Sequence, residues 1–285
     1  MKLVWSILLS FLIVGTAGAA DNRTVPILEF LKYELANNSG GGSKNGNSAT
    51  NLKDYSNLLE NHIEAGLYEE AEKFIKGTTD QFLTAMSSPT KARYAMMVAD
   101  VYHYRGKYTL AEEYFERGKV LYGELKDSDG VIEANIGISE TRKFVENFEG
   151  SLKSGFEALA IADSIGNDEK VADIKSILGR IYIGQGDSKA AKPLIDEAKD
   201  FYEQSDDEIA MALIHEDMAY MHADGGELDR AFEFANQAYA TFQEYEDEDG
   251  LITSSCLLSE LYTKSHKWDS ALLFINQSIS KVEGM

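Results

Sequence analysis

Residues 178–198 read LGRIYIGQGDSKAAKPLIDEA, and this stretch decides the fold because its pattern recurs along the chain. Gly186 ends a helical pattern, and Ala191 follows it by five residues. The same pair occurs at Gly66 and Ala71, Gly106 and Ala111, and Gly226 and Ala231. With a spacing of 40 residues, two positions in this series lack glycine, and they are occupied by Glu146, followed by Ser151, and His266, followed by Ala271. A register kept over six units predicts stacked supersecondary units.

Other positions keep the same phase relative to residues 66, 106, 146, 186, 226 and 266, which we call the anchors. Apolar residues stand eight before the anchor, at Leu58, Val98, Ile138, Leu178, Met218 and Leu258. Mostly small residues stand seven before it and twelve after it, as at Gly179 and Ala198. Steps of three and four residues indicate two amphipathic helices per unit, a first and a second helix, joined by a tight turn at the anchor.

This spaced set of small and aromatic residues, as in Leu178-Gly179, Tyr182, Gly186 and Ala191, resembles the tetratricopeptide repeat family. The resemblance covers residues 51–285 and implies an all-α fold, a right-handed α-α superhelix of six helix-turn-helix repeats. The family unit is usually about 34 residues with a proline near its end. These units are longer and lack that proline, as in long-unit variants known from bacterial signalling and regulatory proteins.

The third unit matches the pattern least well. Glu146, Ser151 and Gly155 stand where the other units carry more typical residues. We therefore expect a softer joint in the stack at this unit.

Composition excludes some classes of partner. The chain carries 48 acidic and 27 basic residues, a formal net charge of -21, which repels phosphate backbones and anionic lipid headgroups. Nucleic acid is therefore not an expected partner. With 44% hydrophobic and 11% aromatic residues the chain can still bury a substantial core.

The N-terminal region is distinct from the repeats. Residues 1–20 combine Lys2, an apolar run from Leu3 to Val14 and small residues up to Ala20, which is typical of a cleaved secretory signal peptide. The run is too short to span a bilayer, so we expect no membrane span after cleavage. Residues 21–50 are predicted as a short helix, 27–35, followed by a Gly/Ser/Asn-rich flexible linker. Export to the periplasm is the expected localisation, with secretion as the alternative.

The sequence offers no catalytic motif, and no metal or cofactor is expected. His215-Glu216 begins like a zinc-protease motif, but Ala219 stands where the second histidine is required. His222 could pair weakly with His215 on a metal, although repeat packing explains both better. The lone Cys256 lies in an apolar helical stretch and is interpreted as an inert core residue. We therefore expect a protein that is not an enzyme.

In the family, the first helices form the inner face of the solenoid. By that likeness, the residues six before the anchors project into the groove, and four of the six are acidic: Glu60, Asp100, Glu140, Arg180, Tyr220 and Glu260. Tyr104 and Phe144, two before their anchors, should line the same groove, with Lys143 beside them. Aromatic rings and carboxylates suit a protein or peptide partner with basic and apolar side chains.

The last helix has no following unit to cover it. Leu272, Leu273, Ile275 and Ile279 should therefore leave apolar surface exposed. Dimerisation through this helix, docking of a partner, and a chain shortened from a longer protein all fit. The sequence thus predicts an exported, non-catalytic interaction scaffold. The alternative is the extracytoplasmic sensory or ligand-binding module of a bacterial signalling protein.

Overall fold

The computed structural model describes residues 59–63, 66–77 and 86–284, with side chains to residue 281. The predicted signal peptide 1–20 and the segment 21–50 lie outside the described residues. Residues 59–63 are helical, and the helices that follow are α1 (Tyr68–Gly77), α2 (Ser88–Tyr104), α3 (Tyr108–Leu125), α4 (Ser128–Phe144), α5 (Phe148–Ile165), α6 (Asp168–Gln185), α7 (Ser188–Ser205), α8 (Glu208–Asp224), α9 (Leu228–Glu244), α10 (Glu248–Lys264) and α11 (Trp268–Gly284).

All six anchors adopt the same left-handed backbone conformation. Gly66, Gly106, Gly186 and Gly226 have φ between 67° and 80°, and Glu146 and His266 both have φ of 59°. The backbone amide of the residue after each anchor donates a hydrogen bond to the carbonyl of the residue four before the anchor. At Glu146 this bond runs from the Asn147 amide to the Arg142 carbonyl, at 2.9 Å. This bonding closes the first helix in a Schellman motif. The two non-glycine anchors therefore make the same turn that the period predicts.

A second set of turns joins one unit to the next. Lys126, Gly166, Asp206 and Glu246 have φ between 54° and 67°, so from residue 106 onward a left-handed residue recurs every 20 residues. An Asp or Asn side chain then caps the next helix, as Asp127 accepts from the Gly130 amide at 3.0 Å. Asn167, Asp207 and Asp247 cap in the same way. Asp and Asn are among the preferred N-cap residues because their side-chain oxygens accept from free amides of the first turn.

Small residues set the distance between the two helices of a unit. The positions five after the anchor, from Ala71 to Ala271, are all buried. A methyl group added at Gly179 would lie 2.6 Å from Ile195 Cγ1, closer than two carbon atoms can pack. The small positions predicted from the sequence are thus where first and second helices touch.

The described helices stack in order as a solenoid. Each second helix packs between the first helix of its own unit and that of the next, whereas consecutive first helices also touch one another. Consecutive second helices make no comparable contact within the described residues. The first helices α2, α4, α6, α8 and α10 therefore lie on the inside of the curve and form its inner face. No described helix combines the length and apolarity needed to cross a bilayer.

The two helices of the third unit, α4 and α5, are joined by reciprocal hydrogen bonds between two buried serines. Ser139 and Ser151 are fully buried, and each hydroxyl donates to the other residue's carbonyl, at 2.8 and 2.7 Å. Arg142 donates to Glu112 at 2.7 Å and to the Ser154 hydroxyl at 2.8 Å. Hydrogen bonds therefore hold the third unit at the positions where its residues depart from the repeat pattern. That this unit is a softer joint in the stack stays a prediction.

Candidate functional site

The inner face carries two adjacent cavities. Both are lined by Glu133, Ile136 and Glu140 of α4, so the cavities lie on the two sides of this helix. The lining residues stand at three- and four-residue steps, mainly 13, 10, 6 and 3 before the anchors. Such steps place side chains on one face of a helix. The cavities therefore belong to the groove of the solenoid.

The first cavity, about 380 Å³, lies between α2 and α4 and is acidic. Asp100, Glu133 and Glu140 contribute three carboxylates, and Tyr104 and Phe115 contribute aromatic walls. No lysine or arginine is among its described lining residues. A cavity of this composition attracts a cation, and its aromatic walls can pack against the stem of a lysine or arginine side chain.

Burial and the charges of neighbouring carboxylates shift the pKa values of two groups that line this cavity, Asp100 and His103. Burial, together with smaller contributions from the charges of Glu140 and Glu133, raises the pKa of Asp100 to about 7. Burial lowers the pKa of His103, whose Nδ1 lies 3.0 Å from the Thr141 hydroxyl. A neutral His103 adds no positive charge to the cavity, and the cation beside its carboxylates is Lys170, which bonds Glu133.

The second cavity, about 280 Å³, lies between α4 and α6 and extends to α8. Its charges have both signs, because Lys170 and Arg180 face Glu133, Glu140 and Asp173. Three of these charged groups are bonded locally: Lys170 bonds Glu133, and Asp173 accepts a hydrogen bond from the Tyr202 hydroxyl. The apolar walls come from Ile177, Ile214 and Leu213, and the Leu213 side chain is exposed.

The predicted groove residues divide into two groups. Asp100, Tyr104, Glu140 and Arg180 line the cavities, and Glu140 lines both. Outside the cavities, Glu60 pairs with Arg93 and Glu260 pairs with Lys264 at 3.0 Å.

Two predicted aromatic residues also lie outside the described cavities. The Phe144 ring stacks on Tyr108 with centroids 5.5 Å apart. Tyr220 packs against the core formed by α8 to α11. A binding role for any residue of the predicted set stays a prediction.

The cavities are also lined by residues that were not predicted from the sequence, among them Glu133, Ile136, Lys170 and Asp173. Glu133 and Ile136 stand 13 and 10 before their anchor, on the same helical face as Glu140. Extending the groove pattern backwards in steps of four and three residues would have found them.

Two acidic residues are buried where α8 meets its neighbouring first helices. Glu216 accepts a hydrogen bond from the Thr253 hydroxyl at 2.9 Å, and Asp217 accepts one from the Ser176 hydroxyl at 2.6 Å. Burial raises the pKa of Glu216 to about 8 and also raises that of Asp217. Contacts between units on the inner face therefore depend on protonation.

The rim of the groove is aromatic near the first cavity. The Tyr68 ring stacks on Tyr104 with centroids 4.5 Å apart, and Tyr104 is 58% exposed. Burial raises the pKa of Tyr68 to about 12, with a contribution from the charge of Asp249 on α10.

The histidines and the cysteine considered for chemistry lie in packing positions. The His222 ring stacks on Phe234 with centroids 5.4 Å apart, and His215 lies 5.8 Å from the same ring. No group of three potential metal ligands occurs within the described ranges. Cys256 is half-buried and its sulfur lies 3.3 Å from the Ser278 hydroxyl, so it is less enclosed than predicted.

The last helix exposes apolar side chains as the sequence predicts. Leu272 is 60% exposed and Leu273 is 56% exposed. Leu272 stands six after its anchor, where Phe232 of the preceding unit contacts Tyr262 of the next first helix, with ring centroids 4.8 Å apart. Dimerisation through this surface stays a prediction.

Neither a protein-family profile nor a curated protein sequence matches the chain. Solved structures do. NprR in complex with its cognate peptide NprX superposes with a TM-score of 0.66 at 11% identity, covering 98% of this chain and 76% of NprR. The Rap conjugation gene regulator of plasmid pLS20, in complex with the Phr* peptide, gives 0.62 at 12% identity, covering 84% of this chain and 74% of the regulator.

A third similar structure is a signal transduction ATPase with numerous domains from Pyrococcus horikoshii, which carries a tetratricopeptide repeat sensor. It gives a TM-score of 0.60 at 19% identity and covers 81% of this chain and 36% of that protein. Identities this low bear on the fold alone. Together with the six equivalent turns, these superpositions show that the chain has the tetratricopeptide-type helical repeat fold.

Proposed function

We propose that this chain is an exported, non-catalytic scaffold that binds a peptide segment of a partner protein along its inner face. The observation that carries the proposal is the first cavity, where Asp100, Glu140 and the Lys170-bonded Glu133 meet aromatic walls and no lysine or arginine is among the described lining residues. A basic side chain of the partner would supply the missing positive charge.

The arrangement of the cavities supports an extended ligand. They lie side by side across α4, and apolar side chains line both, including Phe115 in the first and Leu213 in the second. An extended peptide crossing successive first helices could place one side chain in each cavity. NprR and the pLS20 Rap regulator, which share the fold, were solved with peptides bound.

Export is proposed from the sequence of residues 1–20, which has the charge, apolar run and small residues of a signal peptide. We propose the periplasm as the destination. Cell fractionation of an expressing bacterium, with N-terminal sequencing of the product, tests this. An uncleaved chain in the cytoplasmic fraction would reject export.

Peptide binding is tested with the full chain and a positional-scanning library of fluorescein-labelled nonapeptides, read by fluorescence polarisation. We expect selection for lysine or arginine beside apolar residues. The triple variant Asp100→Asn, Glu133→Gln, Glu140→Gln should weaken binding of the selected peptides at least about tenfold, because the cavity loses its charge.

The matched control is Glu113→Gln, Glu149→Gln, Asp163→Asn, which removes the same charge from exposed positions on the second helices. We expect this control to bind within about twofold of the parent chain, because rim and remote charges act mainly through screened, long-range fields. Equal weakening by both triple variants would assign the effect to net charge and reject the cavity. Binding of no library peptide would reject the proposed function.

A further inference from the structure

A row of aromatic rings lies beside the first cavity, at the end of the first helices where the anchor turns stand. We call this row the aromatic rim, and it consists of Tyr68, His103, Tyr104, Tyr108 and Phe144. The Tyr68 ring stacks on Tyr104, and the Tyr108 ring stacks on Phe144. His103 joins the two stacks, because its ring centroid lies 5.8 Å from that of Tyr104 and 5.0 Å from that of Phe144. The five rings therefore form one continuous cluster across the first three units.

The aromatic rim is open to solvent and borders the first cavity directly. Tyr104 is 58% exposed and Phe144 is 46% exposed. Leu67 and Val145, which stand next to two of the anchors, are exposed as well. His103 and Tyr104 also line the first cavity. A ligand with one side chain in the cavity would therefore also contact the rings of the rim.

The fold does not require aromatic residues at the positions of the rim. Units four, five and six carry Gly184, Asp224 and Lys264 two before the anchor, where Tyr104 and Phe144 stand in the second and third units. The anchors of those three units make the same left-handed turn. A cluster of exposed apolar rings that packing does not require is typical of a binding surface.

The helical inner face limits the backbone conformation of a bound segment. Its amides and carbonyls are bonded within the helices, so the described residues offer no sheet edge to which a β-strand could pair. A bound helix is about 10–12 Å across, and the cavity of about 380 Å³ between α2 and α4 has room for a side chain but not for a helix. A polyproline II segment leaves its backbone to water and needs no backbone partner.

We propose that the partner segment is proline-rich and binds in the polyproline II conformation, with prolines packed on the aromatic rim and a neighbouring lysine or arginine in the first cavity. This inference rests on the proposed function and names the class of the peptide. Prolines pack well in aromatic-lined grooves, and the preformed polyproline II helix loses little entropy on binding. Proline has no N–H, so it leaves no unpaired donor on the rings, and the Tyr104 hydroxyl can donate to the carbonyls that it keeps.

The spacing of the helices predicts the spacing of the prolines. A polyproline II helix repeats every three residues, about 9 Å, and neighbouring packed helices lie about 8–10 Å apart. Tyr104 and Phe144 belong to neighbouring first helices, so they should contact prolines three residues apart. Asp100 and Glu140 stand one turn before these two rings and line the cavity. The lysine or arginine that they attract should therefore stand beside one of the prolines.

The full chain is first screened with the fluorescein-labelled nonapeptide library, read by fluorescence polarisation. We expect proline to be enriched at two positions three residues apart, beside the selected lysine or arginine. The selected peptides are then resynthesised with either proline replaced by alanine. Each replacement should weaken binding about fivefold, because it removes a contact with a ring and makes the peptide more flexible.

Variants of the rim test whether the prolines contact its rings. Tyr104→Leu and Phe144→Leu remove an exposed ring but keep an apolar side chain, so each should weaken binding of the proline peptides about fivefold. Binding of the alanine-substituted peptides should change by less than about twofold, because the contact between ring and proline is already lost. The matched control Trp268→Leu removes an exposed ring from the sixth unit and should leave all affinities unchanged.

Thermal unfolding of each variant is measured in parallel, and if one rim variant is unfolded the other decides the result. Selection for lysine or arginine without proline would overturn this inference and leave the proposed function standing. Selection of leucine or phenylalanine in place of proline would overturn it in the same way. Equal weakening by Trp268→Leu would reject the rim as the binding surface. Binding of no peptide at all would remove both the inference and the proposed function.

Discussion

The third and fifth units share one backbone, but they bury polar groups at different interfaces. Within the third unit the two helices meet through Ser139 and Ser151, whereas the fifth unit has Ala219 and Ala231 at these positions. The fifth unit instead buries Glu216 and Asp217 against neighbouring first helices, where the third unit has Ile136 and Gly137.

The difference shows which features of a unit are fixed. The left-handed anchor, the cap and a small residue at the helix contact recur in both units. Polar groups are tolerated at either interface because an adjacent helix supplies a hydrogen-bond partner for each of these buried groups. The buried side chains at the helix interfaces can therefore be polar or apolar from one unit to the next without changing the turns that determine the register.

The largest expected effect on stability comes from replacing the residue four before the anchor in the third and the fifth unit. Arg142→Ala should lower the free energy of unfolding by about 2–3 kcal/mol, because it removes several charge-assisted hydrogen bonds from a half-buried position. His222→Ala in the fifth unit should cost only about 1 kcal/mol, mainly the stacking on Phe234. Urea unfolding followed by circular dichroism measures both, and equal losses would contradict the contrast.

A test of intermediate size concerns pH and the fifth unit. The pKa of Glu216 is raised from 4.5 to about 8 by burial, so the folded state holds a proton that the unfolded chain releases. The contribution of protonated Glu216 to the free energy of unfolding is therefore fully present below about pH 4.5 and is lost as pH rises through 8. Glu216→Gln should raise Tm by roughly 5 °C at pH 8.5 and change it little at pH 4.5.

The control for this test is Glu233→Gln, which lies on the exposed surface of α9. Its Tm should follow that of the parent chain at both pH values. A Glu216 variant that stabilises the chain equally at both pH values would show that the effect does not come from deprotonation.

The smallest expected effect comes from exchanging the anchors. Gly226→Glu should cost about 1 kcal/mol, because a side chain disfavours the φ of 78° found there. Glu146→Gly should stabilise the third unit by less than that amount, because glycine adopts the φ of 59° freely but residue 146 also takes part in an interaction that the change can disturb. Destabilisation by both changes would mean that side-chain contacts at residue 146 outweigh the backbone strain.

The sequence predicted the features that depend on local geometry. Period and phase located the turn at Glu146 and at His266, although neither is glycine. Steps of three and four residues located the small contacts, as at Gly179. The likeness to the repeat family implied that Asp100, Glu140 and Arg180 project into the groove, and they line the cavities there.

Features that depend on the packing of one unit on the next were not predicted. The cavities form between consecutive first helices, and their size follows from how far each unit rotates relative to its neighbour. That rotation depends on many side-chain volumes together. The pairing of Lys170 on α6 with Glu133 on α4 depends on the same rotation.

The left-handed residue at every twentieth position from 106 onward constrains how the chain can change in length. Adding or removing 40 residues, one whole unit, would return every later side chain to its previous face and preserve each helix contact. Any other number would exchange first and second helices or rotate the downstream faces away from their partners. In genetic terms, duplication or loss of whole units is the change this architecture accommodates, and the groove would grow or shrink by one first helix at a time.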